Sequence, residues 1–494
     1  MTAARTLAEA NQRDASDPAA SAWVGASAGS GKTRVLTDRV LRLLLDPKQK
    51  PQAILCLTFT KAAAAEMANR LSRDLGEWAV MQDGELDARI AKLTGFAPDA
   101  ALRDHARKLF ARVLDLPGGM RISTIHAFCQ SLLRGFPLEA GLTPQFSVVE
   151  DREATTMLAE AREAVLGEAG NTDAMEALAS LTPPTAFAEL VRALNDDRAA
   201  LAAAMTPGRE EALLARLAQR LGLDGDENVE ALTEAAAAAT PDLGGIAAQL
   251  ANSKTDSDRA RGARMQAWLA LDAEARAAAW PDWCGIFLTD KEAAYSDKFL
   301  ATKGGLGAAQ AQVLGAMRAE AERVAAIAER RRAIRLLAAT RALLALAAPV
   351  IAAYATRKAG RGMLDYDDLI DRARAVLRDP GSAWVLFKLD GGLDHVLLDE
   401  AQDSNAAQWG IARALTEEFF AGEGARDRPR SVFAVGDVKQ SIYGFQGADP
   451  DGFARERDHF EVAARDAGHA FRRVQLSVSF RSTAPVLALV DAVF

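Results

Sequence analysis

The stretch Ala26-Ser27-Ala28-Gly29-Ser30-Gly31-Lys32-Thr33 constrains this chain more than any other. It follows a short apolar run, Ser21–Ala26, that reads as a buried strand, and it opens a helical pattern over Arg34 to Leu45. Small residues between a strand and a helix let backbone N–H groups close around a polyphosphate, and the helix N-terminus adds a favourable dipole. Lys32 then supplies a point charge to β- and γ-phosphates, and the Thr33 hydroxyl is a ligand for Mg²⁺. Ala26 stands where the general pattern has glycine. The plain alternative is a Gly/Ser-rich turn beside a solvated lysine, and the strand–loop–helix context argues against it.

A polyphosphate site of this kind needs a carboxylate at the end of a second buried strand. His395-Val396-Leu397-Leu398-Asp399-Glu400 supplies one. Asp399 is placed to hold Mg²⁺ through water, and Glu400 to act as the base that orients an attacking water. Strands often end in acids, so this run gains weight from its continuation, Ala401-Gln402-Asp403, and from Gly436-Asp437-Val438-Lys439-Gln440 after the next strand.

The 494 residues predict about three domains. From about 20 to 150, apolar runs (Ser21–Ala26, Ala53–Thr60, Met120–Ile125) alternate with helical stretches, which predicts an α/β layer with a parallel sheet. From about 151 to 360 the texture is helical and alanine-rich, with Ala308 to Lys358 reading as one or two long helices around Pro349. The arginines Arg330, Arg331, Arg332 and Arg335 read as a solvated helix face; contact with DNA phosphate is the alternative. From about 361 the α/β texture returns, with strands expected at His395–Leu398, Ser431–Val435 and from Val474 to Phe480. The sequence stops at Phe494 inside an apolar helix-like segment, Ala484–Phe494, from which we expect a piece of a longer chain.

A net charge of −8 excludes a uniformly basic DNA coat, though not a local basic groove. Three cysteines far apart in sequence, none in a CxxC pair, exclude a disulfide scaffold and argue against a zinc ribbon. The composition suits a reducing cytoplasm, and no signal peptide is expected over residues 1–17. Ala342–Ala355, the longest apolar stretch, is too short to span a bilayer and reads as a buried helix.

Taken in order, further segments carry a resemblance. They are Asn11-Gln12, Thr58-Phe59-Thr60-Lys61-Ala62 with Glu66 and Arg70, Ser123-Thr124-Ile125-His126-Ala127-Phe128, and Leu364-Asp365-Tyr366-Asp367-Asp368. Val435–Ala448 and Leu476-Ser477-Val478-Ser479-Phe480-Arg481-Ser482 complete the set. With the two phosphate motifs, this set resembles the UvrD/Rep/RecB class of superfamily 1 DNA helicases. The wording of 435–448 and the large alanine-rich insertion are most similar to the AddA group within it.

The resemblance implies an α/β fold: a RecA-like motor domain in two parts (1–150 and 361–470), an inserted all-α accessory domain (151–360), and the start of a second RecA-like domain (471–494). It implies ATP and Mg²⁺, with Gln12 reading adenine, Phe480 stacking on it, Gln402 and Gln440 sensing the γ-phosphate, and Arg481 stabilising its charge. For DNA it implies Phe59 and Phe445 as stacking residues with Thr60, Thr124 and His126 near phosphates. A core phenylalanine and a helix-surface glutamine are the plain alternatives for those types. The family often has arginine where this chain has Gln446, which removes a possible ion pair there. The activity implied is a 3′-to-5′ ATP-dependent helicase or translocase on single-stranded and duplex DNA. The AddA group implies an AddB-like partner protein, double-strand-break repair and a nuclease domain, whose motifs this sequence lacks. A UvrD/Rep-type helicase without nuclease and a nucleotide- or DNA-binding module without turnover are the alternatives. A transporter-type ATPase is disfavoured because no LSGGQ-like signature is present.

Overall fold

The computed structural model describes residues 2–420 apart from 180, 225, 226, 380, 382 and 391, then 429–441, 449–480, and 485, 486 and 489. The chain forms two compact units, one from Met1–Val149 with Gly362–Phe494 and one from Glu150–Arg361.

The strands of the first unit are β1 (Ser21–Ala26), β2 (Ile54–Thr58), β3 (Arg121–Thr124), β4 (Ser147–Val148), β5 (Met363–Leu364), β6 (His395–Leu398), β7 (Ser431–Gly436) and β8 (Phe471–Leu476). Six of them form one parallel sheet in the order β3-β2-β6-β7-β1-β8. The central strands β1, β2, β6 and β7 are almost wholly buried, which explains their unbroken apolar runs: a parallel sheet is covered on both faces. The two short strands β4 and β5 pair separately, also in parallel, so the chain entering the second unit is tied to the chain leaving it.

The first part of this unit also contains the helices α1 (Thr2–Ala15), α2 (Lys32–Leu44), α3 (Lys61–Val80), α4 (Asp83–Thr94), α5 (Ala100–Leu114) and α6 (Ile125–Gly135). One face of the sheet carries Leu36 and Val40 from α2, Leu71 and Trp78 from α3, Ile90 from α4 and Leu109 from α5. The other face carries α6 with the helices Tyr366–Arg378 and Ala406–Thr416.

Two expectations are revised here. The strand predicted from Val474 starts at Phe471 and ends at Leu476, and the segment 477–480 lies beyond it. That strand pairs in parallel with β1 from Ser21↔Phe471 to Ala26↔Leu476. Residues 471–476, expected at the opening of a second motor domain, are therefore the edge strand of the first sheet. Apolar patterning reports a strand but not which sheet it joins, because pairing is long-range.

At the amino ends of the strands lies a buried polar network. Arg39 is fully buried and donates to the carbonyls of Ala15, Asp17 and Ala20 and to Ser431 Oγ. His395 Nδ1 lies 2.8 Å from the same Ser431 Oγ, and Nε2 lies 3.3 Å from Gln49 Oε1. Burial pushes the His395 imidazole down to about 3, with the Arg39 charge adding to the effect.

The second unit is helical. Its spine is one 51-residue helix, Gln310–Gly360, that runs through Pro349. Proline removes one backbone donor without ending this helix, which keeps buried residues on both sides of it. Ala339, Ala342, Leu346, Val350 and Tyr354 are buried at three- and four-residue spacing. That spacing puts them on one face of the helix. An 18-residue window of this helix reaches a mean hydropathy of 2.0, so by length and composition it could cross a membrane; 33% of the window is buried inside the protein. The expectation from 342–355 alone understated its length. Trp268, Trp280 and Trp283 anchor the core, with Trp268 stacked on Trp283 at 4.3 Å. Trp283 Nε1 donates to Glu320 at 2.8 Å. The arginine cluster is partly tied down: Arg330 makes a forked pair with Glu227, and Arg332 reaches Glu292.

Candidate functional site

Three adjacent strands end side by side. β1 leads into the loop 27–31, β6 into Asp399 and Glu400, and β7 into Asp437. In an open parallel sheet the crevice beyond the carboxyl ends is where ligands bind. The loop turns into α2 through two glycines with positive φ, Gly29 at 73° and Gly31 at 92°. Gly31 is the N-cap of α2 and has no side chain to cap it. The first N–H groups of α2 have no acceptor within their own helix and are open to an anion. A Cβ on Gly31 would also lie 3.0 Å from Gln12 Nε2, so glycine is required twice over.

Lys32 and Glu400 meet here. Lys32 Nζ donates to Glu400 Oε2 at 2.8 Å and to Gln440 Oε1 at 3.2 Å. The lysine side chain is 10% exposed and the glutamate 36%. Glu400 adopts left-handed backbone angles, φ 48° and ψ 42°. For a non-glycine residue this is a strained conformation that persists only where the surroundings impose it. Its N–H donates to Asp399 Oδ1 at 3.0 Å. Asp399 is buried, and its own N–H donates to the Leu57 carbonyl at 2.9 Å. Burial, reinforced by the neighbouring Glu400 charge, pushes the Asp399 carboxyl up to about 6.

Gln402 couples the two acidic strand ends. Its Nε2 donates to Glu400 Oε2 at 2.9 Å and to Asp403 Oδ2 at 3.1 Å, while Oε1 accepts the Asp437 N–H at 2.9 Å. Gly436 makes room for this: a Cβ there would stand 2.7 Å from Gln402 Oε1 and 3.1 Å from Phe453 Cε2. Behind it, Trp23 stacks on Trp409 at 5.5 Å and tilts against Phe453 at 4.9 Å, so the strand ends rest on an aromatic layer.

On the other side of the loop, Gln12 is buried and its Nε2 donates to the Ser30 carbonyl at 3.1 Å. A surface glutamine would not do this; Gln12 braces the loop from α1. Asn11 Nδ2 donates to the Gln475 carbonyl, and the Phe480 N–H to the Gly29 carbonyl at 2.8 Å. Leu7, Gln12, Ser30, Leu476 and Phe480 line a narrow cleft, with Phe480 47% exposed. Of the loop residues, Ala26 is buried at the end of β1; Ser27, Ala28 and Thr33 follow in the loop and first helical turn, where the Thr33 carbonyl accepts from Thr37. Ser30 Oγ is buried without a hydrogen-bond partner.

The expected DNA contacts lie at the ends of β2 and β3, which are neighbours with Thr58 opposite Thr124. Phe59 is half-buried and Thr60 exposed. Thr60 Oγ1 accepts the Ala63 N–H at 3.1 Å as the N-cap of α3, which leaves its own O–H to donate. Thr124 is buried and caps α6 through the Ala127 N–H at 3.1 Å. His126 packs edge-on against Tyr366 at 5.3 Å, and burial lowers its imidazole from the ordinary value. Phe445, Gln446 and Arg481 lie outside the described residues.

The structure thus brings together Gln12, Lys32, Glu400, Gln402 and Gln440, with Asp399 beside them. Sequence reasoning assigned no part to Asn11, Asp403, Gly436 or Asp437. A Gly-Asp pair directly after a buried strand was the available signal for the last two.

A phosphate loop and an acidic strand end facing each other across a parallel sheet define a nucleotide-driven motor domain of the P-loop class. The chain matches the family described as UvrD/REP helicase N-terminal domain over residues 8–461, and it belongs to that family. The family implies the use of ATP, with Mg²⁺. Among similar curated proteins is the AddA component of the ATP-dependent helicase/nuclease of Desulforudis audaxviator, 31% identical over 95% of this chain and 38% of its own length. The protein of the same name from Pelotomaculum thermopropionicum is 29% identical over 95% of this chain and 37% of its own. That of Moorella thermoacetica is 30% identical, with 95% and 33% covered. The chain therefore spans about two-fifths or less of these relatives.

Proposed function

We propose that this chain carries the ATP site and part of the DNA track of an AddA-like helicase, a motor driven by ATP hydrolysis along single-stranded DNA. The observation that carries the reading is the meeting of Lys32, Glu400 and Gln440 at one point beyond three strand ends.

Lys32 is poised to exchange Glu400 for a phosphate oxygen. Its ammonium is already desolvated and stays paired in both states, so the exchange costs little beyond releasing the carboxylate. Freed from Lys32, Glu400 remains held by Gln402 Nε2 and accepts a proton from water at Oε2. Gln440, released at the same time, can donate or accept at the terminal phosphate through its amide. The Thr33 hydroxyl and the Asp399 carboxylate are the oxygen donors suited to Mg²⁺, which when bound neutralises phosphate charge. The buried, acid-raised Asp399 fits such a role, because a carboxylate left alone in that position is poorly stabilised. The Gln12–Phe480 cleft suits a purine: an amide edge on one side and an exposed ring on the other.

DNA binding is read as stacking on Phe59 with the Thr60 O–H and backbone groups meeting phosphate, which is tolerant of sequence. Thr124, buried as a cap, supports His126 instead of reaching phosphate through its side chain. The 3′-to-5′ sense, the AddB-like partner and a role in double-strand-break repair are part of this proposal, supported by the names of the relatives. The test is steady-state ATP turnover of this chain with and without single-stranded DNA of mixed sequence. Stimulation that is weakened in Phe59→Ala supports the reading; DNA binding unaffected by Phe59→Ala removes the stacking assignment.

A further inference from the structure

A second cavity, of about 410 Å³, shares Gln12 with the Phe480 cleft and lies among α1, α2, α3 and α4. Its size is within the range of small-molecule sites. Six cationic side chains and three carboxylates line it, a local excess of three positive charges in a chain whose net charge is −8. Two of the carboxylates are spoken for: Asp38 pairs with Arg34 at 3.6 Å, and Asp74 with Arg89 at 3.6 Å.

Three cations in the wall have no such pairing: Arg13 from α1, Arg73 from α3 and Lys92 from α4. None forms an ion pair among the described residues. Three helices thus each contribute one uncompensated cation to one concave space. The wall also includes Trp78, buried, whose indole N–H has no acceptor among the described residues. Cations gathered without counter-charges repel one another, and nothing in the packing calls for their convergence. A binding role accounts for it.

We propose that this cavity is a second anion site that takes a small polyphosphate, separate from the phosphate loop. The charge excess and the volume match a di- or triphosphate better than a single inorganic phosphate. A concave space walled by four helices suits a small molecule better than the backbone of a nucleic acid. Gln12 forms a wall of both this cavity and the cleft beside Phe480, so an occupant would bear on the brace of the phosphate loop.

The experiment is isothermal titration with inorganic tripolyphosphate, without nucleotide, on the parent protein, on Lys32→Glu, and on Lys32→Glu combined with Arg73→Glu and Lys92→Glu. Lys32→Glu blocks the phosphate loop, so any remaining binding reports the cavity alone and does not depend on the ATP reading. We expect Lys32→Glu to retain one tripolyphosphate site. Adding Arg73→Glu and Lys92→Glu to it should weaken that site at least tenfold, with an unchanged melting temperature because both positions are exposed. Loss of all binding in Lys32→Glu alone would overturn the proposal, as would binding unaffected by Arg73→Glu and Lys92→Glu. Displacement of the tripolyphosphate by a thymidine oligonucleotide would assign the cavity to DNA instead and equally overturn it.

Discussion

Lys32 Nζ lies 2.8 Å from Glu400 Oε2, so the cation offered to a phosphate and the carboxylate offered to water neutralise each other across 368 residues of sequence. Each holds the other in the position where a nucleotide needs it. Binding a triphosphate has to break this pair, and the same event frees the base. Nucleotide binding and activation of Glu400 are thereby linked through one ion pair.

Glu400→Gln keeps the shape of the side chain and removes its basicity. Its amide can still take the Lys32 donor through Oε1, so the loop keeps its support. We expect nucleotide affinity to stay near that of the parent protein and the turnover rate to fall by about 10²-fold or more, the scale of a positioned base. Nucleotide affinity by equilibrium titration and phosphate release under saturating ATP measure the two halves. Turnover near the parent rate would assign the base elsewhere.

Gly436→Ala tests the spacing of the strand ends. The new Cβ would fall 2.7 Å from Gln402 Oε1, which also holds the Asp437 N–H. Overpacking of this kind typically costs about 1–3 kcal/mol. We expect a melting temperature lower by several degrees and a turnover rate reduced more than nucleotide affinity, because Gln402 orients Glu400 and not the phosphate loop. A variant that melts and turns over like the parent would show that Gln402 has no part in positioning.

Acid titration should show two buried groups working against each other. His395 is held near 3 when folded and titrates near 6.5 when unfolded, so its contribution to stability is lost as pH falls below 6.5. Asp399 is held near 6 when folded and near 3.8 when unfolded, so its contribution is full at low pH and is lost as pH rises through 6. Between pH 6 and 4 the two slopes oppose. Asp399→Asn removes the second and exposes the first: we expect it to lose about 1 kcal/mol more than the parent between pH 6.5 and 5, at about 1.4 kcal/mol per pH unit below 6. His395→Gln should shift the other way. Urea unfolding at the two pH values reads both, and parallel pH profiles for all three proteins would contradict the assignment.

Much of this site could be read from the sequence because its parts are local. The strand–loop–helix around Lys32 needs only eight consecutive residues, and the acidic end of β6 needs six. The glycines at 29 and 31 are legible for the same reason: positive φ is a local demand. What was not legible is long-range. That 471–476 closes the first sheet beside β1 depends on Ser21 pairing with Phe471 and Ala26 with Leu476 from opposite ends of the chain. That Thr124 spends its hydroxyl on a helix cap, and that Gly436 leaves space for Gln402, depend on side-chain geometry which no residue pattern reports. The convergence of Arg13, Arg73 and Lys92 was invisible for that reason too, since each reads as an ordinary charge on its own helix surface.

The measurement that bears most directly on the whole account is equilibrium nucleotide binding by Lys32→Ala compared with the parent, in the presence of Mg²⁺. The loop geometry and the Glu400 partnership predict that the parent binds ATP and that the variant binds it at least tenfold more weakly while keeping its fold. An affinity for ATP in Lys32→Ala close to that of the parent would contradict the assignment of this loop as the phosphate site, and with it the motor.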